Sequence, residues 1–160
     1  MNGRQRIAAV LAGASPDRLP AMPILHSGLA TVLGVPLGAF YTDAAVMADV
    51  MVRGCGRFGF DGVQLSMGVT GEAEALGARV EQPADGAPLL RQRLLADLDD
   101  LPRIAAADPT CGGRMPMFYA AVERVVRTIG DDAFVLATLR GHLLAASQLR
   151  GVQEILMDLL

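Results

Sequence analysis

At 160 residues and 16.8 kDa, the chain is long enough for one ordinary domain and too short for two. Its 14 cationic residues are all Arg, which excludes a Schiff-base lysine and the lysine of a phosphate-cradling loop. A net charge of -3 and a pI near 5.3 leave no basic stripe for nucleic acid, and no apolar run reaches the ~18 residues of a membrane span.

Apolar residues make up 52% of the chain and the mean hydropathy is +0.37, so most faces must be covered by something. Near the start, Asn2 with Gln5 three residues on reads as a capping box, and the spacing of Ile7, Val10 and Leu11 predicts a helix over 2–12. That reading displaces a signal peptide, which Arg4, Arg6 and the following apolar run only outline. After the turn Ser15-Pro16-Asp17-Arg18, residues 20–26 (PAMPILH) are expected to form a first strand, with prolines limiting hydrogen bonding at its start. The apolar stretch from Gly28 to Phe40 is interrupted by Gly34, Pro36 and Gly38. A second helix is expected from Thr42-Asp43, with Met47, Val50, Met51, Gly54 and Phe58 on one face and Gly59 as its C-cap.

Residues 61–67 (DGVQLSM) follow as a buried strand. Next come a helical turn in GEAEAL and a hairpin, in which 80–82 and 88–92 flank Pro83-Ala84-Asp85-Gly86. The acidic segment Asp97 to Leu101 and a loop through Gly112-Gly113 lead to a long helix. Its face is set by Phe118, Val122, Val125, Val126 and Ile129, with Pro116 in the first turn. A third strand over 133–140 and helices near 142–149 and 152–160 complete the order. Alternating helices and strands predict an α/β fold with a parallel sheet. The last helix has no stop signal and leaves Val152, Ile155, Leu156 and Leu159 unanswered, so the chain is expected to stop mid-fold.

Gly54-Cys55-Gly56-Arg57-Phe58-Gly59 is formally GxGxxG, but it closes a helix where a dinucleotide site must open one. Its glycines read as packing and capping. Cys55 is expected to be buried and Cys111 exposed without an activator; two separated thiols fit a reducing cytoplasm. Glu72 and Glu74 are expected on different faces of their turn, one of them capping it. In a barrel of parallel strands, reactive groups gather where strands finish. His26 ends the first strand, Gln64 and Ser66 lie in the second, and Arg140 ends the third. These four are the candidate substrate-binding residues, with Arg140 or His26 orienting an anion. Each has a plainer alternative: His26 bonding a loop backbone group, and Arg140 pairing with a carboxylate.

Several segments together resemble the uroporphyrinogen decarboxylase superfamily. The opening NGRQRIAAVLAGASPDRLPAMP is similar to its capped helix and P-D-R-x-P turn. Thr70, Glu72, Ala73, Glu74, Ala75, Gly77, Ala78 and Val80 match a T-x-E-A-E-A-x-G-A-x-V pattern. FVLATLRGHLLAASQLRG resembles the third-strand region, with His142 where many relatives carry Pro. The likeness is nearest to the branch that transfers methyl groups from corrinoid proteins to thiols such as coenzyme M. It implies an incomplete (β/α)8 barrel, N-terminal portion, with about three parallel strands and an accessory hairpin; a whole barrel takes ~250 residues. It also implies a small-molecule substrate, a corrinoid protein partner, and zinc held by a His-x-Cys and a later Cys in the other half. This chain lacks that motif, so no metal is expected on it alone and the isolated chain is expected to be inactive.

Two alternatives stand beside methyl transfer. One is uroporphyrinogen decarboxylation in tetrapyrrole synthesis. For it, Asp61 is the nearest match to the essential aspartate and thus a candidate catalytic residue, while Leu25-His26-Ser27-Gly28 replaces the arginine-rich R-Q-A-G-R segment. The other is a non-catalytic half-barrel that self-associates through its open sheet.

Overall fold

The computed structural model describes residues 1–105, 107–108 and 110–160. Ala106 and Pro109, in the expected loop before Gly112, lie outside them. The chain opens with α1 (Gly3–Leu11), and Asn2 and Gln5 form the reciprocal capping box. Two short helices follow, α2 (Ser27–Val32) and α3 (Leu37–Thr42), where the sequence showed only a broken apolar stretch. Helix α4 (Ala44–Phe58) starts at Asp43, whose carboxylate accepts from the N–H groups of Ala45 and Val46, and ends at Gly59 with φ 66°. That left-handed turn suits glycine and stops the helix as expected.

The sheet that organises the molecule is small. β1 (Gly62–Ser66) pairs in parallel with β4 (Phe134–Thr138), Gly62 opposite Phe134 and Ser66 opposite Thr138. Between them lie α5 (Gly71–Ala75), then the antiparallel hairpin of β2 (Arg79–Glu81) and β3 (Leu89–Gln92). A 3₁₀ turn (Leu98–Asp100), α6 (Leu101–Ala105) and α7 (Met115–Ile129) come next. After β4 the chain ends in α8 (His142–Arg150) and α9 (Val152–Asp158).

Side chains alternate across a strand. Val63 and Leu65 point into a core shared with Met47, Val50 and Met51 of α4 and Phe118, Ala121 and Val125 of α7. Gly62, Gln64 and Ser66 therefore share the opposite face. Gly54 lies against Leu29 so closely that a Cβ there would come within 2.8 Å of a Leu29 methyl carbon, which explains the first glycine of the formal GxGxxG. Phe58, expected in the core, is half-exposed and stacks on Phe60. Val126 is likewise exposed, and Val152 and Leu156 of α9, with Leu159 just after it, face solvent as an uncovered stripe. A second cluster joins Ala73, Ala78, Leu95 and Leu149, tying α8 to the hairpin region.

The expected first strand, at 20–26, is absent among the described residues. Residues 20–26 run beside β1, but only Asp61 N–H reaches back, to the Ala21 carbonyl at 2.8 Å. Pro20 and Pro23 have no N–H to give, so the ladder cannot propagate. Asp61 compensates at that end. Its carboxylate accepts from Arg18 (2.6 and 2.9 Å), Arg6 (2.9 Å) and Ala21 N–H (2.7 Å). Burial alone would push this carboxyl up; the hydrogen bonds from Arg18, Ala21 and Arg6 outweigh it and hold it below the ordinary carboxylate range.

Asp61→Asn should therefore lower the unfolding free energy by about 3 kcal/mol at neutral pH, the low end of the buried-pair range because Arg18 is half in solvent. Because the folded-state pKa is depressed, the wild-type advantage is full above the ordinary carboxylate pKa. It is lost as pH falls through the depressed value, so wild type and variant should differ less in urea titrations at pH 3 than at pH 7.

Candidate functional site

A cavity of about 240 Å³ opens where β1 and β4 finish, lined by His26, Ser27, Tyr41, Ser66, Gly68, Val69, Ala87, Pro88 and Arg140. Three of the four substrate-binding candidates, His26, Ser66 and Arg140, thus come together. Ser66, the last residue of β1, is buried, and its hydroxyl oxygen accepts from Gly68 N–H and from Arg140 Nη2, both at 3.1 Å. Arg140 Nε donates to the Gly68 carbonyl at 3.0 Å, and its main-chain N–H donates to Glu72 Oε1 at 2.7 Å. Gly68 makes this turn with φ 84°, which a side chain would strain.

The guanidinium of Arg140 is held by neutral oxygens alone. No carboxylate lies within salt-bridging distance of it among the described residues; Glu72 takes its amide instead. The alternative of a structural ion pair is thereby excluded for these residues. A half-buried guanidinium without a counter-ion, its planar fork open toward a cavity, is suited to a carboxylate, sulfonate or phosphate oxygen.

His26 stands opposite with φ 43° and ψ -122°, the one positive-φ residue other than glycine among the described residues. Such a backbone costs about 1–3 kcal/mol, and it turns the imidazole inward. Its Nδ1 is buried and has no hydrogen-bond partner. Burial first, and then the nearby Arg140 cation, lower its pKa below 6.5, and the Gln64 carbonyl partly opposes them. Gln64 itself lies one layer deeper on the same strand face and does not line the cavity; its Oε1 is also buried without a partner. Asp61 sits five residues before Ser66, at the opposite end of the strand, about 16 Å away at the rise of an extended chain. Its carboxylate is fully engaged in the anchor described above.

Tyr41 was not among the sequence candidates because α3 was not foreseen. Leu37, Phe40 and Tyr41 at helical spacing after Pro36 carried that signal. Its ring packs edge-to-face on Phe40 (5.1 Å between centroids) and lies 5.7 Å from the Arg114 guanidinium carbon. Arg114 in turn pairs with Glu74 at 2.6 Å and reaches the Met67 carbonyl at 3.4 Å. Glu72 and Glu74 do serve different faces, but neither caps its own turn: one holds the Arg140 amide, the other holds Arg114.

Among the described residues, the groups able to ligate a metal are scattered. Cys55 is buried and its thiol donates to the Phe60 carbonyl. Cys111 is exposed and donates to Asp108 at 3.0 Å, a bond that raises the thiol pKa and disfavours the thiolate. His142 begins α8. Among the described residues no three of His, Cys, Asp and Glu converge on a point where an ion could sit, so this donor set does not fit a zinc site.

A family model described as uroporphyrinogen decarboxylase (URO-D) matches residues 2–160. A solved structure of a methyltransferase from Methanosarcina mazei superposes with a TM-score of 0.81 at 22% sequence identity, covering 98% of this chain and 48% of that one. At that identity the likeness is one of fold, and the chain spans about half the length of the structure it matches. No curated protein matches the chain. No helix among the described residues is long and apolar enough to cross a membrane.

Removing the Arg114 side chain should strand the half-buried Glu74 carboxylate and loosen the wall behind Tyr41. For Arg114→Ala we expect a loss of about 3 kcal/mol in chemical denaturation and a weakened tyrosine signal in near-ultraviolet circular dichroism.

Proposed function

The chain belongs to the uroporphyrinogen decarboxylase family, and from that premise we propose that it is the N-terminal part of a barrel enzyme transferring a methyl group between a corrinoid protein and a thiol. The observation that carries this reading is the uncompensated Arg140 guanidinium in a cavity at the strand ends. Active sites of parallel barrels gather at that end, and a small anionic thiol needs a cation to orient it. In this reading His26 and Arg140 position the substrate, Ser66 and the Gly68 carbonyl fix the guanidinium, and Tyr41 walls the cavity. Zinc, which would supply a thiolate at neutral pH, would have to be held by residues outside this chain, since the donors here do not fit it.

Two observations favour this over porphyrinogen decarboxylation. A porphyrinogen carries many carboxylates, whereas this cavity presents one guanidinium and Leu25-His26-Ser27-Gly28 adds none. Asp61, the candidate catalytic aspartate of that reaction, is sequestered by two arginines at the wrong end of its strand. The uncovered apolar residues Ile24, Leu139, Leu143, Leu156 and Leu159 favour a second expectation, association through the open sheet.

The chain alone, given methylcobalamin, zinc and a thiol sulfonate, should give no methylated thiol. Supplemented with a polypeptide carrying the remaining strands, it should turn over. Arg140→Gln should then raise KM about tenfold or more with kcat less affected, the mark of lost binding. Carbon dioxide release from uroporphyrinogen without thiol methylation would overturn the reading in favour of the decarboxylase. Gel filtration tests the association: a compact monomer at micromolar concentration would contradict it.

A further inference from the structure

We propose that His26 and Arg140 form a proton-coupled oxyanion clamp: a compact carboxylate, sulfonate or phosphate oxygen seated on the Arg140 guanidinium draws a proton from solvent onto the His26 imidazole. This deepens the anionic-substrate reading above and rests on it.

The two side chains line one cavity, and each has a polar group left unanswered. Arg140 has spent Nε on Gly68 and Nη2 on Ser66, which fixes its plane while leaving its charge without a counter-ion. His26 is held inside by a backbone that few residues with a Cβ adopt, and its buried Nδ1 has no partner. Without a ligand, desolvation and the neighbouring cation both oppose charging of the imidazole and hold its pKa below 6.5.

Nothing else facing the cavity neutralises that cation. Glu72, from α5, is engaged with the Arg140 main-chain N–H, and Tyr41, from α3, presents a phenol. Ser27 of α2, Gln64 and Ser66 of β1, and the Ala87-Pro88 segment before β3 carry no charge. A bound anion cancels the field of Arg140 at the imidazole and rewards a second donor on its other side. Binding the anion therefore takes up a fraction of a proton near the His26 midpoint, and by linkage the anion binds more tightly as pH falls through the His26 titration.

The chain has two histidines, so imidazole proton resonances report the effect directly in the full 160-residue protein, with His142→Gln used for assignment. Methanesulfonate is the probe because it carries a single charge at every pH used. Saturation should move the His26 midpoint upward by about half a unit or more while His142 stays put, and binding at pH 5.5 should be about threefold or more tighter than at pH 7.5. In Arg140→Gln, the ligand-free midpoint should rise and the response to methanesulfonate should vanish. Arg140→Lys, which keeps the charge, should retain a partial response and guards against a folding defect.

Binding that perturbs resonances around Arg140 without moving His26, or that strengthens with rising pH, overturns the clamp and leaves the anionic-substrate reading standing. Equal shifts of both histidines reveal ionic screening and likewise overturn it. Failure to bind at all overturns both. A clamp that titrates as described in a protein whose completed assembly transfers no methyl group would sustain the clamp and sink the methyltransferase reading.

Discussion

The arrangement hangs on Asp61. Its carboxylate gathers Arg6 from α1, Arg18 and Ala21 from the turn, while its peptide group accepts from Phe134 N–H and donates to Ala21. Gly3 lies so close to this peptide that a Cβ there would clash with its backbone. One residue thus brings together α1, the turn after it, β1 and the start of β4. The prolines at 20 and 23 remove the donors that would have joined that segment to the sheet, and a buried ion cluster replaces the ladder. Locking the N-terminal end of the strands in this way leaves their C-terminal ends free to be shaped by loops.

At those ends, two arginines answer the same electrostatic problem differently. Arg114 is almost fully buried, and it meets the cost of desolvation with the Glu74 carboxylate, the Tyr41 ring and main-chain oxygen. It is a closed unit with nothing left to bind. Arg140 is more exposed and leans only on a hydroxyl and a carbonyl. Those bonds fix its direction without neutralising it, so its field is spent on the cavity and on His26. Glu72, which might have quenched it, is held instead on the Arg140 amide, where it secures the loop after β4. Orientation by neutral acceptors and charge left uncancelled are what a preorganised anion site requires.

Much of this was legible because local chemistry and tertiary context agree. Asp43 and Gly59 bound α4 with a side-chain cap and a left-handed turn, and Asn2 with Gln5 starts α1. Position on the strands brought out Ser66 and Arg140, while His26 was reached through a strand that does not form. The failures have equally local causes. Helices α2 and α3 are six residues each, shorter than two turns, so periodicity leaves only a faint trace of them, such as the spacing of Leu37, Phe40 and Tyr41. Tyr41 was lost with them. A strand reading of 20–26 followed apolar content and overrode the missing donors of its prolines. Phe58 has the spacing of a core residue, yet its position at the end of α4 lets it turn outward onto Phe60. Arg140 and Arg114 look alike in the sequence; only the placement of Glu72 and Glu74 two residues apart, on opposite sides of α5, separates the free cation from the paired one.

The inner face of β1 carries the argument for a larger barrel one step further. Gln64 Oε1 is buried there without a donor, a condition that costs about 1–3 kcal/mol when nothing relieves it. Beside it stands Leu136, opposite in register and only partly covered. In a closed parallel barrel each interior layer takes side chains from alternate strands, so the partners of such residues come from across the lumen. Further strands of such a barrel would supply a donor for Gln64, apolar cover for Leu136 and a wall facing the His26–Arg140 cavity. A polar orphan and an apolar surplus on one sheet face are two different energetic deficits. That a single layer of further strands would meet both is a stronger reason for the barrel than either deficit alone.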